Sequence, residues 1–374
     1  MSRQSIQLIR QPLKRRFQQN MLRLFCLFLL SMFSSASFAA EGTSSKPKGK
    51  FIGAMQTEYP EWFKESFLDF NEDVAEAAAA GKRLMVVFHQ DGCPYCNAFV
   101  ERNLSQKDIE QAVRKNFDSI GLNMWGSREV ATIGGKSYTE KTFAAALKVQ
   151  FTPTVLFFNE QGKIILRLNG YIPPQRFKLA IDYVSQKQET KISYRDYMAK
   201  YLPKDKKTSD KLHSQDFFAK KPYDLSRSKK QNKPVAIFFE QKDCPNCDTL
   251  HSQILVDEGV RKTIKDFDVV QLDMWSETEV ITPTGKKTTA KSLAKSLDVK
   301  YAPTIVVFNN KGKEVIRSEA FFKLFHTKGI LTYVSSGSYK KQPSFQRYLA
   351  AVAHDLQVEG KDVDIWHLEG EAKK

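Results

Sequence analysis

Two short segments carry residues suited to moving electrons between sulfurs: Cys93-Pro94-Tyr95-Cys96 and Cys244-Pro245-Asn246-Cys247. A thiol attacks a disulfide only as its thiolate, so such a pair needs one cysteine with a stabilised charge and a second within reach. Each segment follows a short apolar run, Leu84-Met85-Val86-Val87-Phe88 or Val235-Ala236-Ile237-Phe238-Phe239. Runs of this length, apolar on both faces, read as buried central strands. The cysteines therefore open the helix that follows, extending to about Leu104 or Leu255. A helix start offers unpaired N–H groups and a partial positive charge, and both favour an anion. Cys93 and Cys244 are thus the attacking residues. Pro94 and Pro245 occupy an early helical position where a missing N–H costs little. Cys96 and Cys247 lie one turn further on, close enough to form a disulfide with the first sulfur and resolve a mixed one.

The positioning elements occur twice. Asp73-Val74 matches Asp224-Leu225 at an offset of 151, which holds through both dithiols. The offset is 150 at Asn123-Met124-Trp125 against Asp273-Met274-Trp275 and at Phe151-Thr152-Pro153-Thr154 against Tyr301-Ala302-Pro303-Thr304. It returns to 151 at Ser193–Met198 against Ser344–Leu349. Such small slips mark a duplicated domain. Each copy is expected to begin with a helix, opened in the first copy by a capping box at Asp73 and Glu76 and closed by Gly81, or by Asn232 in the second. The strand, the dithiol helix and a second strand ending at Met124 or Met274 follow. A polar stretch with turn signals, a short helix, a Gly-centred hairpin and a last helix complete the copy. The fold class is α/β, with a central mixed sheet flanked by helices in each copy.

The dithiol at the first strand-to-helix junction, the proline 59 or 60 residues later and the hairpin after it together resemble the thioredoxin superfamily, over roughly residues 65–187 and 216–337. The finer likeness is to exported bacterial thioredoxin-related proteins. The resemblance implies a cis peptide bond at Pro153 and Pro303, with Thr152, Pro153, Ala302 and Pro303 presenting backbone to a substrate. It also implies that Thr152 and Ala302 tune the two centres differently. The chain departs from classical thioredoxins in having Gly92 and Asp243 before the first cysteine, and a long insertion before the proline. Its buried carboxylate would fall at Val87 and Phe238, neither of which can carry a proton. His89 and Glu240, four residues before the first cysteines, are the candidate substitutes for proton transfer. Trp125 and Trp275 are expected to pack over the inserted segment, and Ser193–Met198 and Ser344–Leu349 to form amphipathic helices covering each module.

The first 39 residues carry six basic residues and no acid, an apolar run from Leu24 to Phe33 and small residues at Ser37-Phe38-Ala39, which is the pattern of an export signal. Met21 offers a second start. The charge of +16 falls to about +10 once those six are removed. The chain is expected to divide into this signal (1–39), a flexible segment (40–60), a first module (61–200), a Lys-rich linker (201–213), a second module (214–355) and a charged tail (356–374). The expected location is the periplasm of a Gram-negative bacterium or the exterior, which argues against nucleic acid as a partner. The expected partners are protein disulfides or thiols and a membrane redox partner, with weak attraction to acidic surfaces. No cofactor and no metal is called for. The expected activity is thiol–disulfide exchange as a protein-disulfide reductase or isomerase. Two other classes use the same residues: a binding scaffold with structural disulfides, and a metal module built from four thiolates.

Overall fold

The structure, a computed structural model, describes residues 47–132, 134–202, 211–227 and 233–367. The segment expected to be an export signal, most of the Lys-rich linker, Asn232 and the last residues of the tail lie outside them. An arm carrying β1 (Phe51–Ile52) leads into α1 (Phe70–Ala79), β2 (Arg83–His89), α2 (Pro94–Ala98) and α3 (Lys107–Asn116). Next come β3 (Phe117–Asn123), an inserted hairpin β4 (Glu129–Ala131) and β5 (Ser137–Thr139), and α4 (Glu140–Ala146). The hairpin β6 (Thr154–Phe158) and β7 (Ile164–Asn169) is followed by α5 (Pro174–Ser185) and α6 (Tyr194–Tyr201).

The second module opens with β8 (Tyr223–Asp224), then β9 (Val235–Glu240), α7 (Pro245–Thr249), α8 (Glu258–Ile264) and β10 (Asp268–Asp273). It continues through β11 (Glu279–Ile281), β12 (Lys287–Thr289), α9 (Ala290–Ser296), β13 (Thr304–Phe308) and β14 (Glu314–Ser318). It closes with α10 (Leu324–Ser335), α11 (Phe345–Val358) and β15 (Val363–Asp364).

Each module has a four-stranded sheet of the same order, β3-β2-β6-β7 and β10-β9-β13-β14. β2 runs parallel to β3 and antiparallel to β6, as β9 does to β10 and β13. The central strands are buried on both faces, and their alternate residues serve two cores: Met85 and Val87 one, Leu84, Val86 and Phe88 the other. This is the mixed sheet expected from the repeat, with the insertion where the sequence places it.

Local details differ from the sequence reading. The first helix is capped by Asp69, whose carboxylate accepts from the N–H groups of Asn71 and Glu72, so Asp73 lies inside the helix. Asp73 is buried and paired with Lys64 at 2.8 Å and with the Ser66 hydroxyl at 2.6 Å. In the second copy Tyr223–Asp224 is a strand on β11 where a first helix was expected. The dithiol helix turns π-helical over Phe99–Leu104 and Leu250–Ile254, and α3 and α8, missed in the sequence, follow it. The segment expected to be flexible, described from residue 47, instead meets the charged tail in a parallel clasp in which Phe51 pairs with Val363 and Ile52 with Asp364.

The two modules pack reciprocally. Phe151 of the first is buried in the core of the second, stacked on Phe322 at 4.8 Å and beside Phe345 at 5.4 Å. Its repeat equivalent Tyr301 is buried among first-module residues, and its hydroxyl lies 3.4 Å from the Asn169 carbonyl. Asn169 donates from Nδ2 to Glu319 Oε2 at 2.6 Å, and these two positions are themselves 150 residues apart. Equivalent residues that touch one another define a local two-fold axis, as in an isologous dimer. The terminal helices extend this exchange. α11 reaches the first module, with Gln346 Nε2 donating to the Gln150 carbonyl at 3.0 Å, and α6 reaches the second, with Arg195 donating to the carbonyls of Met274 and Lys291. Replacing Phe151 with Ala is expected to cost about 3 kcal/mol, as for other fully packed aromatic residues. The urea midpoint of the full chain would measure it, and an unchanged midpoint would refute the packing described.

Candidate active site

Each Cys-Pro-x-Cys segment stands at the end of its central strand. Cys93 and Cys96 form a disulfide with Cα atoms 5.3 Å apart, and Cys244 and Cys247 one with Cα atoms 5.1 Å apart. The first cysteine of each pair is the helix N-cap. Its sulfur accepts the N–H of the second cysteine, at 3.1 Å for Cys93 and 3.2 Å for Cys244. That contact stabilises negative charge on this sulfur once the disulfide opens. Pro94 and Pro245 sit at the start of the helix, as expected.

The peptide bonds preceding Pro153 and Pro303 are cis, and a third lies at Lys221–Pro222. The Thr152 hydroxyl donates to Cys93 Sγ at 3.3 Å, and the Thr152 carbonyl lies 3.6 Å from the same sulfur. Ala302 packs in the same cluster as Cys244 and Cys247 and has no hydroxyl to offer. The difference inferred from these two residue types is thus a hydrogen bond present in one module and missing in the other.

The two candidate proton carriers occupy equivalent positions in different surroundings. His89 is half-buried against the Tyr59 ring, 5.1 Å away, and burial lowers its pKa. The Tyr59 ring also lies against Gly121, where a Cβ would stand in ordinary contact at 3.5 Å. The Tyr59 hydroxyl is buried without a partner. Glu240 is fully buried, and accepts from Gln271 Nε2 at 3.0 Å and from His251 Nε2 at 3.0 Å. Gln215 Nε2 donates to His251 Nδ1 at 3.2 Å, which leaves the proton of this ring on the Glu240 side. His213 stacks on His251 at 4.9 Å and bonds Asp248 at 2.6 Å. His251 escaped the sequence reading, although its spacing of four from Cys247 puts the two on one helical face.

Trp125 and Trp275 pack, as expected, on the clusters that hold Val130 and Val280 of their own insertions, and each also meets an arginine of the opposite module. The Trp125 indole N–H bonds Gln90 at 2.9 Å, and Arg347 lies over its ring at 5.1 Å. The Trp275 N–H bonds Gln241 at 3.1 Å, with Arg195 over its ring at 4.3 Å.

A thioredoxin-like domain model matches residues 70–185 and again residues 222–325. The chain belongs to the thioredoxin-like domain family. Among solved structures it is similar to a thioredoxin-fold protein from Helicobacter pylori (21% identity, 38% of this chain, 87% of that one, TM-score 0.32). It is also similar to a thioredoxin from Thermus thermophilus (24% identity, 32% and 85%, TM-score 0.27). A protein disulfide oxidoreductase from Aeropyrum pernix covers more of it (11% identity, 75% and 97%, TM-score 0.23). No curated protein matches.

Both dithiols of this thioredoxin-like pair are screened, Cys93 being 4% exposed and Cys244 3%. Over the first lie elements foreign to its own thioredoxin-like module. The Tyr95 ring meets Phe322, His326 and Trp366 edge-on, at 5.5, 5.2 and 5.0 Å, and its hydroxyl accepts the Lys323 N–H that opens α10. From the arm, Thr57 donates to the Cys93 carbonyl at 3.4 Å. No helix of the described residues is long and apolar enough to cross a membrane.

Two outcomes follow. Replacing Thr152 with Ala removes a hydrogen bond worth about 1 kcal/mol to the Cys93 thiolate, so alkylation of reduced Cys93 at neutral pH should slow about fivefold. Alkylation followed by mass spectrometry checks this. The second concerns His326, whose pKa is pushed down from 6.5 to about 4 by burial. The unfolded chain takes up this proton below about pH 6.5 and the folded chain only near 4, so stability falls as pH drops through that window, by up to about 3 kcal/mol. In His326→Leu this part of the acid-side slope should vanish from urea midpoints measured against pH.

Proposed function

We propose that the chain is an exported thiol–disulfide oxidoreductase, a protein-disulfide reductase or isomerase, acting through both Cys-Pro-x-Cys centres. The observation that carries the reading is the repeated arrangement of an N-cap sulfur accepting an N–H, its partner cysteine in bonding distance, and a cis-proline loop packed beside them. A binding scaffold would need the disulfides but not this set of contacts.

In the reducing direction the thiolate of Cys93 or Cys244 attacks a substrate disulfide. A bond forms between the two sulfurs, and one substrate sulfur leaves as thiolate. Cys96 or Cys247 then gives up its proton and attacks the mixed disulfide, which closes the protein's disulfide and releases the second substrate thiol. The substrate gains two electrons and the dithiol loses them. Backbone at Thr152-Pro153 and Ala302-Pro303 holds the substrate chain. Glu240, with His251 behind it, takes the resolving proton in the second module, and His89 serves the first. Export, a membrane partner that restores the dithiols and protein substrates in the periplasm complete the proposal.

Cys96→Ser and Cys247→Ser, made singly, remove the resolving step. Each is expected to hold its partner as a mixed disulfide that reducing agent releases; failure of both to trap anything would overturn the exchange mechanism. Glu240→Gln should slow resolution at the second centre about tenfold and flatten its pH profile, with the first centre unchanged. Stopped-flow measurement on chains retaining a single dithiol checks this.

A further inference from the structure

The covering over the first dithiol is itself a cleft. It has a volume of about 460 Å³, within the range of binding sites for small ligands or a few residues of extended chain. Cys93 and Thr152 line it from the first module. Tyr95 and Phe151 of the same module join them, and further walls come from elsewhere: Phe322, Phe325, Leu349 and Ala353 from the second module, Phe51 and Ile365 from the terminal clasp. The charged residues around it are Asp91, Lys141 and Arg347, and Arg347 is laid over Trp125.

Two observations point to an occupant. His326 lines the cleft nine-tenths buried, and its Nδ1 has no hydrogen-bond partner. A buried imidazole nitrogen in that state loses free energy until a donor or acceptor reaches it, and peptide backbone supplies both. In addition, two large apolar side chains remain exposed on the arm beside the dithiol: Phe51, 43% exposed, and Met55, 39% exposed, whose sulfur meets Asn97. Phe51 lines the cleft, so its apolar wall continues to solvent. The corresponding cleft at the second centre, about 510 Å³, has a different lining: Arg176, Arg195, Lys242 and Lys300 with Asp243 and Asp273.

We propose that the cleft between the modules and the clasp is a specificity site for the first dithiol, which takes an extended polypeptide segment carrying an aromatic or branched apolar residue beside its reactive cysteine. The inference rests on the exchange chemistry proposed above and adds the substrate class. A sulfur on the floor of the cleft requires a cysteine in the occupant. The apolar walls accept the neighbouring side chain, and His326 meets its backbone. Such cysteines lie inside folded proteins, so the first centre serves chains that have not yet folded. At the second centre Met198, Ala199 and Leu202 stand where Leu349, Ala350 and Ala353 do at the first, but no residue of the clasp lines that cleft and four basic side chains do.

The test uses the full chain as Cys244→Ser/Cys247→Ser, reduced, against disulfide-linked peptides that differ only in Phe or Glu beside the cysteine, with hydroxyethyl disulfide as a small neutral reference. The Phe peptide is expected to react about tenfold faster than the Glu peptide, the effect of burying one apolar side chain in part. Phe51→Ser, at an exposed position, and Ala353→Glu, in the wall, should each reduce that ratio to near one. The chain with Cys93→Ser/Cys96→Ser should have no such ratio. Equal rates for the two peptides, or a ratio that survives both wall variants, would overturn the specificity site and leave the exchange chemistry standing. Reaction with hydroxyethyl disulfide but with neither peptide would also overturn it, since the cleft would then be closed to chains. Inertness toward all three would instead sink the exchange reading itself.

Discussion

The contact on which the molecule depends is the mutual burial of Phe151 and Tyr301. Each precedes the cis-proline loop of its own module by one residue and is packed into the other module. A module of about a hundred residues has little core to spare, and an aromatic ring left in water beside the dithiol would be an exposed apolar patch. Placing each ring in the neighbouring core removes that surface and brings both dithiol loops to the interface. The composite cleft over Cys93, which Phe151 lines, belongs to that interface. The terminal helices reinforce the arrangement through Arg195 and Gln346, which donate to backbone carbonyls of the opposite module.

Within that shared skeleton the two centres have separated in chemistry. The first has a hydroxyl on its sulfur and, at the end of β2, a half-buried imidazole against Tyr59. The second lacks the hydroxyl and carries a buried carboxylate held by His251 and Gln271 at the equivalent strand end. Gln271 contributes to this difference by donating to Glu240, where its equivalent in the repeat, Gly121, has no side chain to donate. A carboxylate in that position without donors would be costly to bury, so Glu240, His251 and Gln271 form a set in which no member is neutral to change alone.

Much of this was legible in the sequence, and the parts that were not share a physical cause. The dithiols, the strands before them, the hairpins and the prolines depend on near neighbours in the chain, and the repeat reports each of them twice. The capping residue was misplaced because Asp69 and Asp73 both suit a helix start, and the choice between them is made by Lys64 and Ser66, which draw Asp73 inward. The strand Tyr223–Asp224 pairs with β11, more than fifty residues away, and nothing local announces it. The second-module walls of the cleft and the Val363–Asp364 strand of the clasp come from residues over a hundred positions from Cys93. Phe151 and Tyr301 read as ordinary apolar residues beside a motif, since burial in a second module leaves no local signature.

The residues on the axis explain what fusing two copies into one chain makes available. In a dimer of identical modules each axis position would face itself. Glu319 would then oppose a second buried glutamate, a like-charge contact in a poorly solvated place; here it faces Asn169 and receives a hydrogen bond. Gly170 lies against Ala320, its own equivalent, at a distance where a Cβ on the glycine would sit 2.7 Å from the alanine Cβ. Two alanines would collide and two glycines would leave a gap. A pair of unlike residues fits here, and a single chain can encode unlike residues at related positions where a dimer of identical chains cannot. Covalent linkage also holds the partner at a high effective concentration, so the interface need not be large to persist. Once the two sides of the axis differ, the sites they flank are free to differ as well, one under a clasp of chain ends and the other beside a cluster of arginines and lysines.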